Sequence, residues 1–297
     1  MTFFLSIFFF IYQNDTIECF CNIYADSLYT SGNFKEAIIN YKRNDSNNRS
    51  LFMLGCCYSY MNDFDSACKY FAKSVEKNPL FETPRQYFNA IKSAMASSVF
   101  DTLSRNNQWQ KLKDTVIRRL NHFAQKQNKE LKEILHNMKL KDQYMRHQGY
   151  DSVSACCSEQ VSSYWYKVDS TNTKKLSDII DKYGYPNREI VGFDGENNAW
   201  LIAQHADHDT AFQVKVLRLI YKNSKSGKVN PHHYPYLLDR ILVNKGLKQI
   251  FGTQMDNDKN NDIMPYPLEN EAIVDNLRRC FGLNSLEEYT GFMQKHD

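Results

Sequence analysis

The chain has 297 residues, room at about 150 residues per domain for two domains and a real hydrophobic core, which excludes a single peptide-sized unit. With 37 Lys and Arg against 34 Asp and Glu the net charge is +3, which excludes the large basic field of a nucleic-acid binder. Hydrophobic residues at 42% and charged residues at 24% exclude a disordered chain, and 11 Gly with 7 Pro, half the usual combined share of about 12%, make helix the expected element.

Residues 3–12 read FFLSIFFFIY, ten uncharged and mostly apolar positions followed by Gln13, Asn14 and Asp15. A bilayer takes about 20 residues to cross, so this stretch is too short to span one. Its length matches the apolar core of a secretory signal over residues 1–12. On that reading the protein is exported, periplasmic or in the cell envelope, with membrane contact only through this segment; the alternative is a buried first helix in a cytoplasmic protein. The eight cysteines sit in helical patterns, with adjacent pairs at Cys56-Cys57 and Cys156-Cys157 and no CxxC. Buried free thiols are the expectation, joined by one or two disulfides if the chain is exported.

From residue 13 to residue 84 the sequence repeats itself. Ala25, Leu28, Gly32, Phe34, Ala37 and Tyr41 return thirty residues later as Gly55, Tyr58, Asn62, Phe64, Ala67 and Phe71, and Pro79 closes the second copy. Small residues at the first and fifth marks let two antiparallel helices approach, while the aromatic marks fill the space between them. This order of small, aromatic and closing proline positions resembles the tetratricopeptide repeat. The resemblance implies helix-turn-helix units and a concave groove for a protein or peptide partner.

Residues 85–130 read as connecting helices. No glycine or proline occurs between Pro84 and Gly149, and Tyr87, Ile91, Ala94, Leu112, Val116, Leu120 and Phe123 keep helical spacing. Asn106-Asn107 is the expected break, followed by one helix from Gln108 toward His147. Residues 131–297 form the expected C-terminal domain. Eight of the 11 glycines and five of the seven prolines lie from Gly184 onward, so this part carries more loop while staying mainly helical. One stripe of Leu176, Ile179, Ile180 and Tyr183 stops at Gly184; Pro231 opens a helix through Arg240; Ser285 with Glu288 forms a capping box. The fold class is therefore all-α, a short solenoid followed by a mainly helical domain.

The densest polar cluster is Gln204-His205-Ala206-Asp207-His208-Asp209, directly after the apolar run AWLIA. His205 and His208 share one helix face and can reach one substrate group or metal, while Asp209 is equally the N-cap of a helix from Ala211 to Tyr221. Asp239-Arg240 ends another apolar stretch, as a catalytic couple or as a structural ion pair. His232-His233 read as polar residues of the cap region. Gln249 and Gln254 bracket the loop IFGT, and their amides suit recognition or structural locking better than proton transfer.

A second resemblance rests on Asp142, Gln143 and Arg146 (DQ-x-x-R), Asp169 and Asn172 (D-x-x-N), YGYP at 183–186, AWLIAQHADHDTAFQ, LLDR, FGTQ and RRCFGL. This order is similar to an uncharacterised bacterial domain family of unknown function, from about Leu131 to the C-terminus. Tyr185 stands where that family commonly has tryptophan and Phe251 where it has tyrosine. The resemblance groups Gln204, His205, Asp207, Gln213, Asp239, Arg240, Gly252, Thr253 and Gln254 in one constellation and implies no reaction.

Two functions fit. The first is a scaffold that binds a protein or peptide through the repeat groove and carries a polar ligand site lined by Gln204, Gln213, Gln249, Thr253 and Gln254. The second is a hydrolase-like enzyme with His205 as general base or metal ligand, oriented by Asp207 or Asp239, with Arg240 and Gln254 holding an anionic or amide-bearing substrate. No nucleotide, zinc or nucleophile-elbow motif is present, and no cofactor or resident metal is implied. His205 is expected within reach of Asp239 or Arg240, with Gln254 lining the same cavity.

Overall fold

A computed structural model describes residues 24–43, 48–76, 81–152, 158–257 and 263–296. The apolar decamer, Cys156-Cys157 and Pro79 lie outside the described residues. The chain divides into two compact units between Gln125 and Lys126.

The first unit opens with α1 (residues 24–30) and α2 (Phe34–Lys42), then α3 (Asn48–Tyr60) and α4 (Phe64–Lys73). The two hairpins turn in the same way. Gly32 has φ 79 and Asn62 has φ 60, and the residue after each sends its N–H back to Leu28 O (2.8 Å) and Tyr58 O (3.0 Å) respectively. Asn tolerates this left-handed backbone better than most residues, which is why it can replace glycine here. Ala37, Ala67, Tyr41 and Phe71 are all fully buried. A Cβ at Gly55 would lie 2.6 Å from the Phe71 ring, so that position needs its missing side chain.

Thr83 and Gln86 make a reciprocal capping box that starts α5 (Pro84–Ser93), followed by α6 (Ser97–Arg105) and α7 (Asn107–Gln125). Phe52, Phe71, Phe81 and Tyr87 pack edge to face or tilted, and Trp109 joins Phe88 and Phe100. These helices cover part of the inner face of the hairpins. Tyr29 OH donates to Ala94 O, Tyr60 OH accepts from Ala96 N (2.9 Å), and Phe52 and Cys56 are buried among the same residues. Tyr24 on α1 and Arg49 on α3 stay open to solvent.

The expected helix from Gln108 toward His147 is not continuous. α7 stops at Gln125, and Asn128 Oδ1 accepts from Leu131 N (2.9 Å) to start α8 (Lys129–Ser152) anew. An asparagine side chain that caps a helix needs neither glycine nor proline, so the break left no breaker residue to read.

The second unit continues with α9 (Ser158–Tyr183), α10 (Arg188–Gln204), α11 (Thr210–Ser224) and α12 (His233–Asn244). Gly184, at φ 75, ends α9. α10 is kinked at Gly192 (φ 72, ψ −175), where a Cβ would meet Gln127 Oε1 at 2.6 Å. Asp209 Oδ1 caps α11 through Phe212 N (2.9 Å). Past α12 the chain runs irregularly to a two-stranded antiparallel hairpin, β1 (Met255–Asn257) with β2 (Ile263–Pro265), then α13 (Val274–Cys280) and α14 (Leu286–His296). Ser285 and Glu288 form the capping box of α14. Cys56, Cys57 and Cys68 are buried free thiols, while Cys280 is disulfide-bonded. Among the described residues no helix is long and apolar enough to cross a membrane.

Candidate functional site

α10 ends in a hydrophobic turn followed by polar residues, and His205 is its C-cap. The imidazole points at α8. His205 Nδ1 lies 2.8 and 2.9 Å from the two carboxylate oxygens of Asp142, whose side chain is 1% exposed; that of His205 is 13% exposed. Asp142 also accepts from Gln143 Nε2 (2.7 Å) and stands 3.5 Å from Arg146 Nη1, one helical turn away. Arg146 Nη2 donates to both oxygens of Asp169 on α9 (3.1 and 3.0 Å), and its guanidinium lies 5.9 Å from the Trp165 ring centre. Burial pushes the Asp142 carboxyl up, but His205, Gln143 and Arg146 together hold it below the ordinary aspartate value. Asp169 is raised, burial being the main cause and Arg146 only partly offsetting it.

Hydrogen bonds sort the remaining expected residues into two further groups. Around Asp207, Arg240 binds bidentately (Nε 2.8 Å, Nη2 2.6 Å), Asn244 donates at 2.7 Å and Gln213 Nε2 at 3.1 Å. Gln213 also donates to the carbonyls of Ala203 and Gln204, which ties α11 to the end of α10. In the orientation its surroundings require, the Gln204 amide oxygen accepts from Leu237 N (3.0 Å) and Trp200 Nε1 (3.3 Å). The Asp207 carboxyl is pushed up by burial yet ends below its ordinary value because of Arg240, Gln213 and Asn244.

Asp239 is fully buried and serves the loop after α12. It accepts from Ile250 N (2.8 Å), Phe251 N (3.1 Å), Thr253 N (2.9 Å) and Thr253 Oγ1 (2.9 Å). Burial raises its carboxyl, and these bonds offset only part of the rise. From the other side Arg278, 1% exposed, donates to Phe251 O (2.6 Å), Gly252 O (3.1 Å) and Asn284 O (2.7 Å). Gln249 Nε2 donates to Gln254 O and Tyr266 O while its Oε1 accepts from Gln254 N. The segment from Gln249 to Gln254 is thus pinned at both its N–H and its C=O groups.

The expected single constellation therefore divides. His205 takes Asp142 as its partner, Arg240 takes Asp207, and Asp239, Gln249, Thr253 and Gln254 bond among themselves and to nearby backbone. A guanidinium committed to a carboxylate on two nitrogens has little left for an anionic substrate, so Arg240 does not fit that role. Asp142, Arg146 and Asp169 were visible in the sequence only as part of the family resemblance. The usable signal was the four-residue spacing of Asp142 and Arg146 on one helix face.

His233, read from sequence as a cap-region residue, opens α12 directly after the N-cap and is also buried. Its Nδ1 lies 2.7 Å from Glu196 Oε1, its Nε2 3.2 Å from Asn197 Oδ1, and its ring stacks on Trp200 at 4.2 Å between centroids. His232 is the N-cap of α12, and burial lowers its pKa. His208 meets the Tyr166 ring edge to face at 5.4 Å. Among the described residues no group of three or more His, Cys, Asp and Glu side chains is arranged to hold a metal.

The second of the paired hairpins in the first unit lies in residues 49–79, which match a tetratricopeptide repeat, so the N-terminal part is tetratricopeptide-like. Residues 129–296, more than half of the chain, match the family of unknown function DUF6624, and the chain belongs to that family. No curated protein and no solved structure matches the chain. The repeat points to a protein-interaction or scaffold role with protein partners.

Proposed function

We propose that the chain is a scaffold that holds a protein or peptide partner through its repeats and presents a polar ligand site in its C-terminal domain, centred on His205. The observation that carries the first half is the repeat itself, two hairpins with the same turn and the same buried small and aromatic positions. Because α5 and α6 cover Tyr29, Phe52, Cys56 and Tyr60, the partner surface lies at the open part of α1 and α3, where Tyr24 is 55% exposed and Arg49 pairs with Asp26 at 2.8 Å. Peptides selected from a displayed library on the full chain test this. Tyr24→Ala and Arg49→Glu should each weaken the selected peptides about tenfold, as truncated anchors do; unchanged affinity for both variants sinks the reading.

A hydrolase-like enzyme with His205 as general base is the second reading, and Asp142 on Nδ1 favours it, because a carboxylate there turns Nε2 into a proton acceptor. His205→Gln keeps size and polarity but cannot titrate near neutral pH. Loss of an ester- or amide-cleaving activity at unchanged melting temperature supports the enzyme, and full retention removes it. The apolar decamer supports export of the protein. Recovery of Met1 by N-terminal sequencing of native material would end that part.

A further inference from the structure

His205 is the one imidazole of the second unit that the structure holds by Nδ1 on a carboxylate while Nε2 makes no hydrogen bond among the described residues. Resting on the reading of a polar site at His205, we propose that this site takes a ligand that is a hydrogen-bond donor, neutral or cationic, such as a hydroxyl or an amine, and refuses carboxylates and phosphates. Asp142 is the positioning residue that makes it so, and Arg146 with Asp169 fixes Asp142.

Asp142 is sealed from solvent and accepts from Gln143 and Arg146, so it stays a carboxylate and has only lone pairs to offer His205. The proton of the neutral imidazole is then on Nδ1, and the Nε2 lone pair is left for the ligand. Nothing rotates this arrangement away. Asp142 is set by its own helix, and Arg146 is anchored to Asp169 on α9 by two bonds from one nitrogen.

Charge decides the ligand class. Asp142 and Asp169 bring two carboxylates to one guanidinium, and that guanidinium is already spent on them. Arg240, near the same helix end, is spent on Asp207. His205 also caps the C-terminus of α10, where carbonyl groups present the negative end of the helix dipole. An anion brought to Nε2 would face a lone pair, surplus negative charge and that dipole, whereas an X–H donor or an ammonium gains from all three.

Acylation of the full chain by diethyl pyrocarbonate, read by peptide mass spectrometry, tests both parts. The Nε2 lone pair forms a bond to the reagent's carbonyl carbon, ethyl carbonate leaves with the C–O electron pair, and the Nδ1 proton passes to the Asp142 carboxylate. His205 should react while His233, buried on Glu196, stays unmodified. Asp142→Asn should slow the His205 reaction about tenfold and Asp169→Asn less, as loss of an orienting partner does. In the unsubstituted chain, nitrogen NMR of the neutral imidazole should show the Nδ1–H tautomer, a readout that needs no variant. Choline, a cation with a hydroxyl and no amine for the reagent to acylate, should protect His205 and phosphate should not. A His205 that never reacts in the folded chain overturns the polar-site reading itself. A reactive His205 that is indifferent to Asp142→Asn, or the Nε2–H tautomer, overturns the positioning role alone, and equal protection by phosphate overturns the ligand class.

Discussion

Asp142 and Asp239 are both aspartates sealed inside the second unit, and they spend their carboxylates on different tasks. Asp239 is saturated by three backbone N–H groups and one hydroxyl from a single loop, so its charge is used where it stands. Asp142 spends its charge on an imidazole whose second nitrogen makes no hydrogen bond among the described residues, so its effect is passed outward. A buried carboxylate surrounded by backbone donors organises a chain segment; one facing a titratable ring organises a chemical group. Burial and residue type are equal in the two cases, and only the partner separates structure from chemistry.

The largest break in that comparison is Asp239→Ala. It orphans the N–H groups of Ile250, Phe251 and Thr253 in the interior, at an expected cost of about 4 kcal/mol in denaturant unfolding. Arg278→Met removes the opposite side of the same clamp and should cost about 3 kcal/mol. Were either variant within about 1 kcal/mol of the parent, the loop would not depend on its clamp. Gly55→Leu gives a scale from the first unit, with about 2 kcal/mol expected from overpacking against Phe71. Asp142→Asn, which keeps shape and one acceptor, should cost only about 1 kcal/mol while slowing the acylation of His205 about tenfold. The smallest effect falls to Asp207→Asn, about 0.5 kcal/mol, because its pair with Arg240 is half open to water.

The pH dependence should carry opposite signs at the two buried aspartates. Asp142 is lowered in the folded protein, so its contribution is present above the ordinary value of 3.8 and is lost as pH falls through the folded value. Asp239 is raised, so the folded chain holds that proton longer and stability drops as pH climbs from 3.8 toward the folded value. Stability curves of Asp142→Asn and Asp239→Asn against the parent, taken across the acid range, should therefore diverge in opposite directions. Parallel curves would mean that the two carboxylates share one environment.

What the sequence makes legible is local. The thirty-residue offset of Ala25, Ala37 and Tyr41 to Gly55, Ala67 and Phe71 encodes helices that pack on their neighbours in the chain, and Asp209, Gly184 and Ser285 with Glu288 encode helix ends within one turn. His205 stood out because it closes an apolar helix with polar residues. Its partner did not, since Asp142 lies 63 residues away on another helix and no spacing rule spans that distance. Glu196 and His233, 37 residues apart, escaped for the same reason. The family resemblance grouped Asp239, Thr253 and Gln254 with His205 and Arg240, but whether such residues face their own backbone or a ligand is decided only by three-dimensional direction.

The three tryptophans of the chain fall in three different surroundings. Trp109 is in the aromatic core of the first unit, Trp165 lies under the Arg146 guanidinium, and Trp200 is stacked on the His233 imidazole. Each indole is thus an optical probe already built into the protein, and the three are separable by replacing two at a time with phenylalanine. Trp109 emission would follow the core of the first unit and Trp165 the Arg146–Asp169 pair. Trp200, in van der Waals contact with an imidazole able to quench it, would report whether the start of α12 is seated on α10.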